Sequence, residues 1–153
     1  MSATAEKTLS SKCVKWKPRG WFHERIENSS GNGTADLVLS RNNIDVWLEL
    51  KCCAMPKKGV IQLKHIRRGQ IQWHRKKRAA GCTTYYLIQV GSGLKAEYYL
   101  VNSTYGPRLK DGVQYEELGL ISICSTKDLG FALSRACTIV ENHALDTIHR
   151  RRS

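Results

Sequence analysis

The run Asn43–Cys53, NIDVWLELKCC, restricts this chain more than any other stretch of its length. Apolar and polar residues alternate along it: Ile44, Val46, Leu48 and Leu50 fall on one side, Asp45, Trp47, Glu49 and Lys51 on the other. That period of two belongs to a strand with one face in a core, and no helix can bury such a pattern. The dipeptide Asn42-Asn43 stands at its start, and asparagine tolerates the positive φ that a tight hairpin turn needs. The preceding strand is then Thr34–Ser40, TADLVLS. A two-residue turn pairs Arg41 with Ile44 and sets Asp36 directly across from Glu49, with Cβ atoms about 4.5–5.5 Å apart, whereas a loop longer by two residues moves Asp36 opposite Trp47 on the same face. Lys51, two residues on, shares their face.

The remaining elements follow from similar local signals. A weak helix is expected over the first 17 residues, stopped by Pro18 and Gly20. Trp21–Glu27 reads as a strand and SSGNG at 29–33 as a loop. A basic helix is expected from about 62 to 80, with Gly81 just past its end. Thr83–Val90 and Lys95–Val101 read as two further strands around the turn GSG at 91–93. A short strand near 120–124 precedes a helix from about 127, with Thr126 as N-cap and Leu129, Ala132, Leu133, Ala136 and Val140 on one face. The closing HRRRS reads as a flexible basic tail. At 153 residues the chain is long enough for a single core, expected over about 20–101 with a C-terminal extension over 102–153. The class is α/β, a mixed sheet with the basic helix crossing one face.

Charge narrows the function. The formal net charge is +12, and residues 50–96 hold 11 basic residues and no Asp or Glu. The density is greatest in Lys57, Lys58, Lys64, Arg67, Arg68, Arg75, Lys76, Lys77 and Arg78. A field of one sign on this scale suits a polyanion, because each phosphate neutralised releases condensed counterions. A membrane surface fits less well, since no broad apolar face opposes the charges. His74, on the same helix, is a further candidate for a phosphate contact. Six cysteines show no CxxC and no paired histidine spacing, which argues against a zinc finger and for reduced core thiols. With no apolar leader or spanning run, the expectation is a cytoplasmic protein that is not secreted.

Two carboxylates placed across a hairpin repel, and a hard divalent cation resolves the conflict. Mg²⁺, with Mn²⁺ able to substitute, takes one or two carboxylates, waters and a substrate phosphate. An ammonium beside them can hold the attacking water. Asp36, Glu49 and Lys51 are therefore the parts for phosphodiester hydrolysis. The rival reading is an exposed cross-strand ion network of little energetic weight.

Thr34-Ala35-Asp36, twelve residues, then Glu49-Leu50-Lys51 resembles the PD-(D/E)XK nuclease signature, with Ala35 where the family often has Pro. RIENSSGNGTAD (25–36), VWLELK (46–51) and RRGQIQWHRKKRAAGCTTYYLIQVG (67–91) are similar to its small virus-type and Holliday-junction-resolvase-like branch. The resemblance covers about residues 20–91. It implies a restriction-endonuclease-like αβββαβ core, metal ligation by Asp36, Glu49 and the Leu50 carbonyl, and water positioning by Lys51. It also implies a place for Gln70 near Lys51 or the scissile phosphate. Many members add a Glu from the first helix; Glu6, Glu24 and Glu27 are candidates here, and Glu27 is preferred for its closeness to Asp36. The expected activity is a metal-dependent DNA endonuclease, either junction-selective or site-specific in the homing manner, from a bacterial or phage-infected host cell. Its expected partner is double-stranded or branched DNA, and a homodimer or homotetramer would supply the second active site. The alternative is a basic nucleic-acid-binding module without catalysis.

Overall fold

The computed structural model describes residues 3–27 and 33–153, so most of the expected 29–33 loop lies outside the described residues. The chain begins with α1 (Ala3–Trp16), β1 (Phe22–Arg25), β2 (Leu37–Arg41) and β3 (Ile44–Cys53). A two-residue strand β4 (Val60–Ile61), α2 (Arg68–Ala79), β5 (Thr84–Val90) and β6 (Glu97–Asn102) follow. The remainder is α3 (Gly106–Asp111), β7 (Val113–Gln114), α4 (Tyr115–Ile121), β8 (Ser122–Thr126) and α5 (Leu129–Arg152).

Six strands form one sheet in the order β1-β2-β3-β5-β6-β8. Among the described residues only β3 and β5 pair in parallel, the connection that α2 makes across one face, so the sheet is mixed. The result is an α/β fold, a central mixed sheet flanked by helices. The β2–β3 register runs from Arg41↔Ile44 to Leu37↔Leu48, as the two-residue turn requires. Asn42 and Asn43 both take positive φ, 52° and 62°, the primed turn that matches strand twist.

Each face of the sheet has its own core. Val46, Leu48, Leu50 and Cys52 of β3 join Leu9 and Cys13 of α1 and the buried stripe of α5. On the other face Tyr86, Ile88, Tyr99 and Val101 pack with Ile61, Leu63, Ile66, Leu109 and Leu118. This second core explains a departure from the sequence reading: α2 starts at Arg68, not near 62. Ile61, Leu63 and Ile66 reach that core in a non-helical segment, tied down by β4–β7 pairing and by Leu63 N–H donating to the Leu109 carbonyl. The short helices α3 and α4 have no counterpart among the elements expected from the sequence.

The C-terminal third also differs in detail. Asp128, not Thr126, caps α5: its carboxylate accepts from Phe131 N–H at 3.1 Å, while Thr126 Oγ1 accepts from Asp128 N–H at 3.0 Å. The helix continues to Arg152, so the basic end expected as a tail is helical. Its buried stripe is the expected one, with Cys137 added. All six cysteines are free thiols, four of them buried, and burial pushes Cys13 up to about 12 and Cys52 to about 11. Among the described residues no helix is long and apolar enough to cross a membrane.

Candidate active site

The side of β3 that carries Trp47, Glu49 and Lys51 lies under α2, and the edge of this layer opens at Asp36. Asp36 precedes β2. Its N–H donates to the Leu48 carbonyl at 3.1 Å, and its own carbonyl accepts from Ile26 N–H at 3.0 Å. Its carboxylate Oδ2 accepts from Leu50 N–H at 2.8 Å, which fixes the side chain against β3.

Glu49 is 0% exposed, and Lys51 3%. Lys51 Nζ donates to Glu49 Oε1 at 2.7 Å, and Gln70 Nε2 donates to the same oxygen. The Gln70 carbonyl in turn accepts from Arg67 N–H at 2.9 Å, so one side chain both caps the first turn of α2 and holds Glu49. Gly33, with φ +72°, lies so near that first turn that a Cβ there would come within 2.4 Å of Gln70 N and 2.5 Å of the Gly69 carbonyl carbon. Only glycine fits such an approach.

Behind Glu49 runs a second polar group. His74 is 0% exposed, its Nδ1 hydrogen-bonded to Thr84 Oγ1 at 2.9 Å. Thr84 Oγ1 bonds to Ser103 Oγ, which accepts from Arg78. His74 Nε2 stands 3.8 Å from Glu49 Oε2, beyond a direct hydrogen bond. These two atoms and the Tyr86 hydroxyl are buried without a hydrogen-bond partner among the described residues. The expected phosphate contact of His74 is thus overturned: spaced i, i+4 from Gln70, it shares the helix face that packs on the sheet.

Asp36, Lys51, Gln70 and Arg67 line an open cleft of about 430 Å³, joined by Ala3, Glu6 and His65. Glu6 Oε1 lies 3.9 Å from Lys51 Nζ and 3.0 Å from His65 Nε2. Glu27 is exposed and lines the adjoining cleft with Asp36, Glu6 and Leu50. Of the three acidic candidates, then, Glu6 comes nearest to Lys51; no local signal marks it, because 45 residues separate the two. His65 enters the same cleft.

Burial pushes the Asp36 carboxyl from 3.8 up to about 7; the neighbouring Glu49 charge adds to the rise, while the Leu50 N–H and Lys51 oppose it. The pair's donors are all carboxylate oxygens, which suits a hard divalent cation. Glu49 Oε1 already accepts two hydrogen bonds, so an ion there competes with Lys51 and Gln70. Among the described residues no group of three or more His, Cys, Asp or Glu is gathered to hold an ion, and a shared ion would complete its shell with water and phosphate.

The basic residues separate into two kinds. Lys57, Lys58, Lys64, Arg67, Arg68, Arg75 and Lys76 are exposed. Lys77 sits over the Trp47 ring, 4.0 Å from its centroid, and Arg78 is tied to Ser103. Trp47 meets Trp73 edge-on at 5.6 Å, so it forms part of the β3–α2 contact.

No family model matches this chain, and no curated protein matches it. Among solved structures it is similar to Hjc, a Holliday junction resolvase of the archaeal hyperthermophile Archaeoglobus fulgidus. The two are 13% identical with a TM-score of 0.43, over 77% of this chain and 100% of that one.

Proposed function

We propose that this protein is a metal-dependent nuclease that hydrolyses phosphodiester bonds of DNA at the cleft beside Asp36. The observation that carries this reading is the Asp36–Glu49 pair with Lys51 bonded to Glu49 at the wall of an open cleft. Asp36 and Glu49, with the Leu50 carbonyl, would hold Mg²⁺ or Mn²⁺, which supplies charge neutralisation and polarisation at the phosphate. Lys51 holds and orients the attacking water from the cleft wall. Gln70 fixes the Glu49 carboxylate by its hydrogen bond. Glu6, within reach of Lys51 and His65, is the nearer third carboxylate. The exposed lysines and arginines of 57–76 hold the DNA backbone.

Branched and linear duplex DNA are the candidate substrates, and a pair of subunits supplies two cuts. Purified protein is incubated with supercoiled plasmid, a synthetic four-way junction and a long random duplex, with Mg²⁺ or EDTA. Mg²⁺-dependent nicking that Lys51→Ala abolishes, with DNA affinity held within a few-fold, is expected. Junction cuts without sequence preference assign the resolvase type, and one discrete site in the duplex assigns the homing type.

The complete burial of Glu49 favours a second reading, a DNA-binding module in which the acidic pair is structural. Plasmid that stays intact across Mg²⁺ and Mn²⁺ titrations, with binding that survives Glu49→Ala, establishes that reading instead.

A further inference from the structure

A second basic surface lies away from α2. Residues 7–23 contain Lys7, Lys12, Lys15, Lys17 and Arg19 and no Asp or Glu. Most of these lie on α1, which packs with α5 on the sheet face opposite α2. At the C-terminal end of α1, Lys12, Lys15 and Lys127 line an open pocket of about 560 Å³ together with Trp16, Tyr98 and the exposed N-cap Asp128. Three ammonium groups against one carboxylate leave the pocket positive. Trp16 is 56% exposed, whereas Trp21 is buried and Trp47 and Trp73 are half-buried. Lys15 Nζ lies over the indole at 5.3 Å from its centroid.

We propose that this pocket is a second nucleic-acid site, which takes an unpaired strand with phosphates on Lys12, Lys15 and Lys127 and a base stacked on Trp16. An exposed aromatic among lysines is the arrangement that single strands use, because every base has a face to stack and every nucleotide a charge to neutralise. A membrane surface is the weaker match: an interfacial helix lays an apolar face into lipid, and the apolar face of α1, with Leu9 and Cys13, is already in the core. The position relates the pocket to the cleft. Glu6 lies at the cleft, and ten residues of helix carry the chain to Trp16, about 15 Å away at 1.5 Å per residue. That is roughly four nucleotides at the 3.4 Å duplex spacing, so one strand reaches both. The role of the pocket in cleavage rests on the nuclease reading above; its binding of a strand does not.

The full chain in EDTA is titrated with a 20-nucleotide oligo-dT while tryptophan emission is followed across a salt series. Oligo-dT is expected to quench the emission, and the quench is expected to disappear in Trp16→Ala. Trp16→Phe should keep the affinity while losing the signal, since a phenyl ring still stacks. Lys12→Gln, Lys15→Gln and Lys127→Gln together should weaken binding about tenfold or more. They should also flatten the plot of log affinity against log salt by about 2, near 0.7 for each phosphate contact on a single strand. Unchanged affinity and salt slope in the triple variant overturn the proposal. So does an equal quench in Trp16→Ala, or binding by the wild type to phosphatidylglycerol vesicles without oligo-dT binding. A protein that binds oligo-dT through Trp16 and never nicks plasmid keeps this site and loses the nuclease reading; one that nicks while the triple variant binds as wild type does the reverse.

Discussion

Replacing Asp36 by Asn should stabilise the metal-free protein, and only above a defined pH. The folded carboxyl stands at about 7 against an ordinary 3.8, so between those values the native state binds a proton that the unfolded chain has released. Stability therefore falls as pH rises from about 4 to about 7, and the loss is complete above the folded value. Roughly three pH units at 1.36 kcal/mol each give about 4 kcal/mol. Solvent reaches part of the group, which brings the expected effect to ~2–4 kcal/mol, a large share of the total for a domain of this size. Asparagine keeps an oxygen for Leu50 N–H and carries no charge to repel Glu49. Urea unfolding in EDTA at pH 4, 5, 6, 7 and 8 measures the difference from the midpoint shift at constant m. Variant and wild type should coincide at pH 4 and separate progressively, the variant being more stable by pH 8. Mg²⁺ at pH 8 should close the gap by stabilising the wild type alone. A gap that does not change with pH, or an Asn variant less stable at pH 8, refutes the account of Asp36 as a carboxylate strained by burial and by its neighbour.

Three other outcomes are expected. Lys51→Met leaves the Glu49 carboxylate buried beside Gln70 alone, and urea unfolding at pH 7 should show a loss of ~3–5 kcal/mol; a loss below about 1 kcal/mol means the ion pair does not support the sheet. His74→Phe keeps an aromatic ring but removes one of the two hydrogen-bond partners of Thr84, so a loss of ~1–3 kcal/mol is expected, and an unchanged melting temperature would show that the His74–Thr84 bond contributes nothing. Asp128→Ala removes the cap of α5 and should lower stability by ~1 kcal/mol, or about 2–4 °C by calorimetry, while Thr126→Ala changes it less.

The hairpin was legible because everything that sets it is local: two asparagines able to take positive φ, then strict alternation. That alone placed Glu49 and Lys51 on one face and brought Asp36 to the same edge. The end of α2 was marked by Gly81 in the same way. Its start was not, because Leu63 and Ile66 fit a helical spacing yet, with Ile61, serve a core whose other half, Leu109 and Leu118, lies more than 40 residues away. Two-residue strands such as β4 and β7 exist only through that distant pairing. Helices of six or seven residues such as α3 and α4 are too short to show a period. His74 illustrates a different limit: its spacing from Gln70 named the face, but the basic composition of the helix suggested solvent. Glu6 and His65 meet across 59 residues of sequence, a contact with no local trace.

The meeting of Gly33 with Gly69 and Gln70 carries a consequence for how this molecule can change. That contact is backbone upon backbone, three residues before Asp36 and at the very turn that presents Gln70. The span between these two groups is therefore written into the polypeptide itself, independent of which side chains clothe it. Lysines and arginines on the outer flank of α2 can be exchanged for others, and the charge of that surface revised with them, while the small arrangement underneath keeps its dimensions.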